Sequence, residues 1–299
     1  MAVTRADFTL LLTPELRKIY VQTGMERPME HPMLVNTENM PGNPITDRAM
    51  SSLGAMPAME EGGRFSLDKP IQGGTVTYTA AIYGLGFEVT RPSWEDDMYA
   101  FIKQMPAALA RSSRNRIEID AHAPFNRAFS SSYTGLDGLA LCHTAHTRLD
   151  GGATQGNRRS PDVGLSATGI QQARLDFENM VDDRGMPRMM VPRNLVITPT
   201  NIDTAREILG SAGRAYTANV EINSLEQDDL SIIVDHYITT ATYWFLTAGK
   251  GQHDVNFFMR SAPTFDSFMD PWTGNAIFTV WQRHTNGFGA WQGVWGSTG

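Results

Sequence analysis

Six prolines, Pro28, Pro32, Pro41, Pro44, Pro57 and Pro70, punctuate residues 22–74, and no period of two or of 3.6 residues is sustained between them. Each removes a backbone donor and fixes φ, so neither a long helix nor a central strand can run through the stretch. Compact domains seldom contain unstructured connections longer than about 12–15 residues. Yet this one keeps Leu34, Val35, Ile45, Leu53, Phe65 and several methionines, too many apolar side chains for simple low-complexity disorder. An arm that completes its packing against a neighbouring subunit reconciles the two facts.

Composition bounds the rest. A chain of 299 residues can bury a sizeable core. Charged residues make up 19%, against about 25% in typical soluble domains, which suits a surface partly covered by neighbours. The net charge is −7 and no Lys/Arg block is present, which argues against sequence-specific nucleic-acid binding. Arginines number 21 against four lysines; composition bias explains that as readily as interfaces do. The single cysteine, Cys142, excludes an intrachain disulfide and fits a reducing cytoplasm. No apolar run has transmembrane length and no signal pattern opens the chain, so a cytosolic protein without a membrane partner is expected.

Along the chain, Phe8, Leu11, Leu12, Leu16 and Ile19 lie near helical spacing, interrupted by Pro14, which predicts a short helical or extended arm. Residues 64–83 read as a hairpin, with a polar strand, a turn around Lys69-Pro70 and Gly73-Gly74, and an alternating strand placing Val76, Tyr78, Ala80 and Ile82 on one face. Gly84-Leu85-Gly86-Phe87 reads as a bend between strands. Ser93, with Asp96 three residues on, is a helix-start signal for a long amphipathic helix carrying Trp94, Met98, Phe101, Ile102, Met105 and Leu109 and running toward Asp120. After a Gly/Asn/Arg/Ser loop at 147–165, Ser166 caps a helix bearing Ile170, Ala173, Phe177 and Val181, closed by Gly185. A buried strand at 195–198 leads through Pro199-Thr200-Asn201 into a helix stopped by Gly210. Strands are expected at 230–234, 242–246, 255–260 and 277–281, giving an α+β or α/β layering.

Enzyme signatures are missing: there is no Gly-x-Ser-x-Gly, Walker A or His-Glu-x-x-His. Cys142-His143-Thr144-Ala145-His146 offers sulfur and imidazole, with His143 and His146 able to share a helical face. Structural zinc needs four ligands and no second cysteine exists, so polar packing near a loop is the better account. Asp96-Asp97, Asp182-Asp183 and Asp228-Asp229 sit where capping and turns favour acids. The late aromatics Trp272, Phe278, Trp281, Phe288, Trp291 and Trp295 read as core or subunit interface.

The order of features resembles the Hong Kong 97-type fold of tailed-phage capsid proteins, locally that of the major head subunit of Mu-like phages. The similarity is carried by Tyr83-Gly84-Leu85-Gly86-Phe87-Glu88-Val89-Thr90-Arg91 with Asp96-Asp97, by Asp137 through His146 leading to Asn157, and by Leu195-Val196-Ile197-Thr198-Pro199 with the Ala205–Leu209 helix. It implies an N-terminal arm (1–50), an extended β-hairpin loop (51–85), a peripheral domain with a spine helix (86–160), an axial domain (161–254) and a return to the peripheral domain (255–299). It further implies a structural protein, not an enzyme, with no cofactor. Copies would form hexamers and pentamers that close an icosahedral head around double-stranded DNA, assembled in the host cytoplasm with a portal and with either a separate scaffolding protein or a preceding segment that is cleaved; whether decoration proteins attach is left open. Arg64, Lys69, Val76, Tyr78, Trp94 and Asp96 become candidates for contacts between subunits. Lys69 lies where some relatives form a Lys–Asn isopeptide bond; an ordinary turn lysine is expected here. The rivals are an encapsulin-type nanocompartment shell and, from another class, a cytosolic metal-dependent enzyme using Cys142, His143 and His146.

Overall fold

The computed structural model describes residues 5–95, 99–210, 225 and 230–299, with side chains from Pro14 onward apart from 94–101. Met98, Asp96-Asp97 and Asp228-Asp229, and the side chains of Phe8, Leu11, Leu12, Trp94 and Phe101, lie outside what is described.

The chain begins with α1 (Arg5–Gly24), then α2 (His31–Leu34), β1 (Asn36–Asn39), β2 (Ile45–Met50), β3 (Gln72–Tyr78) and β4 (Ala81–Val89). The helices α3 (Arg91–Glu95) and α4 (Tyr99–Asn126) follow, and after a long irregular crossover come α5 (Ala167–Glu178), β5 (Asn194–Ile197) and α6 (Ile202–Gly210). The last part holds β6 (Ser231–Val234), β7 (Trp244–Thr247), β8 (Val255–Met269), β9 (Ala276–Phe288) and β10 (Val294–Ser297).

Two four-stranded sheets organise these elements. The first has the order β1-β8-β9-β4, with β1 parallel to β8 and the remaining pairs antiparallel. The spine helix α4 covers it: Ile102 and Leu109 are buried with Val89, Phe265, Phe278 and Val280. Leu16 of α1 enters the same core, and Tyr20 stacks on Phe265 at 5.1 Å between ring centroids. α1 is therefore one helix of 20 residues that continues through Pro14, where a break was expected. An interior proline costs a helix about 3 kcal/mol, and burying Leu16, Ile19 and Tyr20 against the spine offsets that.

The second sheet has the order β10-β7-β5-β6 and is covered on both faces. Leu195, Ile197, Trp244, Leu246 and Trp295 pack under Ile170, Ala173 and Phe177 of α5 and Ala205 and Ile208 of α6. On the other face Val196, Phe245 and Val294 meet Phe125 and Ile117 from the end of α4 and Phe257 and Phe288 from the first sheet. This shared cluster joins the two halves, and burial on both faces is why these short strands are continuously apolar. Ser166 caps α5 as its spacing predicts, its hydroxyl accepting from Gly169 N at 3.1 Å.

Several local expectations are corrected. The partner of β3 is Ile45–Met50, with Ile45 opposite Tyr78 and Arg48 opposite Thr75; residues 64–70 form no strand. Ile45–Met50 alternates half-buried and exposed, whereas the stretch before Lys69 ends in Pro70, which has no N–H for a ladder. The apolar face breaks after Ala80, leaving Ile82 exposed on a separate strand. Gly84 and Gly86 lie inside β4 and make no bend; a Cβ on Gly86 would stand 2.7 Å from Phe278 O across the pairing. α3 starts directly after Thr90, whose Oγ1 lies 2.9 Å from Ser93 Oγ, so Ser93 sits inside the helix it was expected to cap. α5 ends at Glu178, and Gly185 (φ +79°) serves a separate turn. The C-terminal strand β10 leaves the segment 255–288 and rejoins β7, Trp295 opposite Leu246.

Candidate subunit interface

β2 and β3 form an antiparallel ribbon whose ends are joined by residues 51–71, a stretch without regular secondary structure. From 52 to 70 every residue except Gly54 is exposed, including Met56 (96%), Phe65 (82%) and Leu67 (94%) together with Leu53 and Met59. Five large apolar side chains on one projecting loop are far from the scattered exposure of an ordinary surface. A second exposed apolar point is the β8–β9 turn, where Trp272 is 93% exposed beside Phe268 and Met269. That turn is built: Asp270 accepts from Trp272 N at 3.0 Å and from Thr273 Oγ1 at 2.6 Å.

The candidate contact residues fall into different places. Arg64 and Lys69 are exposed on the projecting loop, and Val76 is half-buried on β3. Tyr78 is corrected: it is 3% exposed, with its ring 4.9 Å from Phe258 and packed against Gly287, so its own subunit uses it. Trp94 lies on α3 by its backbone alone, and Asp96 is outside the described residues. Met56 and Leu67 were not nominated from sequence, whereas Phe65 was read with the arm and Trp272 as core or subunit interface; the signal for the first two was apolar residues in a segment with no period to bury them.

The Cys142–His146 run is a loop and not a helix. His146 is fully buried and stacks on Trp291 at 4.2 Å, with Nδ1 on Asp137 Oδ2 at 2.5 Å and Nε2 on Asn157 Oδ1 at 3.0 Å. Both ring nitrogens are thus taken by oxygens and neither faces a metal position. Burial pushes the Asp137 carboxyl up, but the hydrogen bond and charge of His146 outweigh it and hold it below the ordinary range. Asn157 also accepts from His143 N at 2.8 Å and donates to Leu141 O at 2.7 Å and Val294 O at 2.8 Å. These groups tie the crossover to β10. Cys142 is buried in the shared core, which pushes its thiol up and makes it a poor nucleophile. Asp182 accepts from Arg184 N and Met186 N, a turn role, and among the described residues no cluster of three metal-ligating side chains occurs. Phe278, Phe288, Trp291 and Trp295 are core; Trp272 and Trp281 are exposed.

Other buried carboxylates tie elements together. Glu118 of α4 accepts from Glu30 N and His31 N, both at 3.0 Å, and lies 3.3 Å from His31 Nδ1. Asp120 accepts from Arg116 Nε and pairs with His284 Nε2, each at 2.8 Å. The geometry holds the arm, the spine and the sheets in register.

A sequence model of phage capsid proteins matches residues 73–296, which take in the spine helix and the strands of both four-stranded sheets apart from β1. The chain belongs to the phage capsid protein family. The fold agrees. The capsid subunit of cyanophage P-SCSP1u superposes with a TM-score of 0.55 at 12% identity, over 90% of this chain and 88% of that one. A structure from Mycobacterium phage Patience gives 0.58 at 10% identity, over 94% and 84%. The procapsid subunit of bacteriophage JBD30 gives 0.53 at 16% identity, over 99% and 76%. No curated protein matches the sequence. The capsid protein therefore has the Hong Kong 97-type fold anticipated from its order of features, and its family makes it a structural protein of the phage head.

Proposed function

We propose that this capsid protein is the major head subunit of a tailed phage of the Mu-like kind, forming hexamers and pentamers that close an icosahedral shell around double-stranded DNA. The observation that carries the reading is the projecting 51–71 loop, whose apolar side chains have no cover within the subunit. Laid across a neighbouring copy, Leu53, Met56, Met59, Phe65 and Leu67 would be buried at roughly 1.5–3 kcal/mol each. In this reading the arm and loop are the connectors, the first sheet with α4 the peripheral domain, and the second sheet with α5 and α6 the axial domain at the symmetry axes. A scaffolding protein, a portal and decoration proteins are its partners in the host cytoplasm. The net charge of −7 suits a wall that encloses DNA without holding it tightly.

Negative-stain microscopy with mass determination, on the chain expressed alone and beside a scaffolding gene, tests this. Closed shells packaging DNA in the presence of portal and packaging proteins are expected. A stable monomer or dimer under both conditions overturns the reading, and shells that instead retain a protein cargo favour a nanocompartment.

A further inference from the structure

We infer that the turn Asp182–Gly185 is a latch that fixes the root of the projecting loop, with Arg184 as the positioning residue that sets its direction. This rests on the reading of the loop as a connector between copies. The loop's two ends meet at Ser51 and Ile71: Ser51 N donates to Ile71 O and Ile71 N to Ser51 Oγ, each at 2.9 Å. Against this root stands a turn more than a hundred residues away. Arg184 Nη2 donates to Lys69 O at 2.6 Å and to Asp68 Oδ1 at 3.1 Å, and its Nε reaches Ser51 Oγ at 3.4 Å. From the same turn Asp182 Oδ2 accepts from Ser52 Oγ at 2.5 Å. One guanidinium and one carboxylate thereby grip both strands of the root.

Both sides of the latch are built. Asp182 Oδ1 accepts from Arg184 N and Met186 N, and Gly185 N donates to Asp182 O at 3.0 Å. Gly185 adopts φ +79°, and a Cβ there would stand 2.5 Å from Arg148 Nη2, so glycine lets the turn close on Arg148. Gln155 pairs with both the N–H and the carbonyl of Val181, tying the turn to the crossover. On the loop side Asp68 Oδ2 accepts from Gly54 N at 2.7 Å and Oδ1 from Lys69 N at 2.8 Å. Beyond these contacts the loop is exposed, so the angle at its root decides where Phe65 and Leu67 arrive. A fork that donates to two or three acceptors at once fixes an angle; a point charge does not.

The test uses the full chain with Arg184→Ala, Arg184→Lys and, separately, Phe65→Glu with Leu67→Glu. Amide exchange of the unassembled subunit is read at Gly54 and Ile71, and shell shape by microscopy with whatever partners yield shells from the unaltered chain. Arg184→Ala is expected to speed exchange at both amides at least about tenfold, the equivalent of one charge-assisted hydrogen bond, and to give open or mis-sized particles. Arg184→Lys is expected to be intermediate in both. Unchanged exchange would overturn the latch, and faster exchange with normal shells would overturn its role in directing the loop. Normal shells from the Phe65 and Leu67 variant would instead defeat the connector reading on which the latch depends.

Discussion

Replacing Asn157 by Ala removes a side chain that is fully buried and has its hydrogen bonds satisfied in four directions. The groups left behind are His143 N, His146 Nε2, Leu141 O and Val294 O, which hold the crossover against the last strand. Each buried group left unpaired costs about 1–3 kcal/mol, so a simple sum has an upper bound of about 12 kcal/mol. The vacated space is polar, and a water that enters re-pairs two or more of the four. The expected net loss is then about 3–5 kcal/mol. Since total stabilities are about 5–15 kcal/mol, such a loss is a large fraction of what holds the second sheet together. Urea unfolding followed by tryptophan fluorescence suits the measurement, because Trp291 and Trp295 flank the site and are buried in the fold. The loss should appear in the transition reported by these tryptophans, and Asn157→Asp should not restore it, because a carboxylate oxygen in place of Nδ2 faces the carbonyls of Leu141 and Val294 and cannot pair with them. A loss under about 1 kcal/mol for the alanine variant would refute the view that the side chain welds the crossover to β10.

Three further outcomes follow from the same geometry. Glu118, Asp120 and Asp137 are pushed up by burial, but histidine hydrogen bonds and charges prevail, with Arg116 helping at Asp120, and all three are held below their ordinary values. Carboxylates depressed in the fold add stability above their unfolded pKa values, near 4, and lose it as pH falls through the folded ones. Melting temperature should therefore drop on acidification below about pH 4, and Glu118→Gln should flatten that drop while lowering stability at pH 7. Tyr78→Phe should be neutral or stabilising by up to about 1 kcal/mol, because the buried Tyr78 hydroxyl has no hydrogen-bond partner among the described residues, whereas Tyr78→Ala should cost about 3–5 kcal/mol in denaturant titrations. Phe65→Glu with Leu67→Glu should leave melting of the subunit unchanged and abolish closed particles by microscopy, since both side chains are exposed before assembly.

What the sequence disclosed was whatever its local chemistry decides. Ser166 with the Ile170, Ala173 and Phe177 stripe specified α5, and Leu195-Val196-Ile197 before a proline and Asn201 specified β5 and α6, because cap, period and breaker lie within a few residues of each other. The partner of β3 was misread because a strand's partner is chosen by side-chain burial over the whole sheet, and Lys69-Pro70 looked like a turn between neighbours. The helix through Pro14 was hidden for a similar reason: propensity forbids it, and only the packing of Leu16 and Tyr20 on the spine and first sheet overrides that. His146 on Asp137 and Asn157 drew attention as a ligand run, but its bond to Asn157 spans a bend that no spacing rule encodes.

Three features that escaped a local reading share one property: each crosses from one structural unit to another. β1 brings the arm into the first sheet by parallel pairing with β8, β10 carries the last residues into the second sheet, and Arg184 holds a loop more than a hundred residues away. The cores draw on distant segments, Leu16 with Phe278 under the spine and Ile170 with Trp295 in the second sheet, so the apolar stripe of each element is written locally while its partners are not. The crossings fix angles between the parts through backbone ladders, buried carboxylates and one guanidinium, and β10 also brings in the fully buried Val294 and Trp295. In a subunit that tiles a closed shell those angles, repeated in every copy, determine curvature. Substitutions of Arg184, whose bonds lie at the exposed root of the loop, should therefore change particle geometry at small cost to subunit stability, whereas substitutions of Asn157 and of the cores should cost stability first.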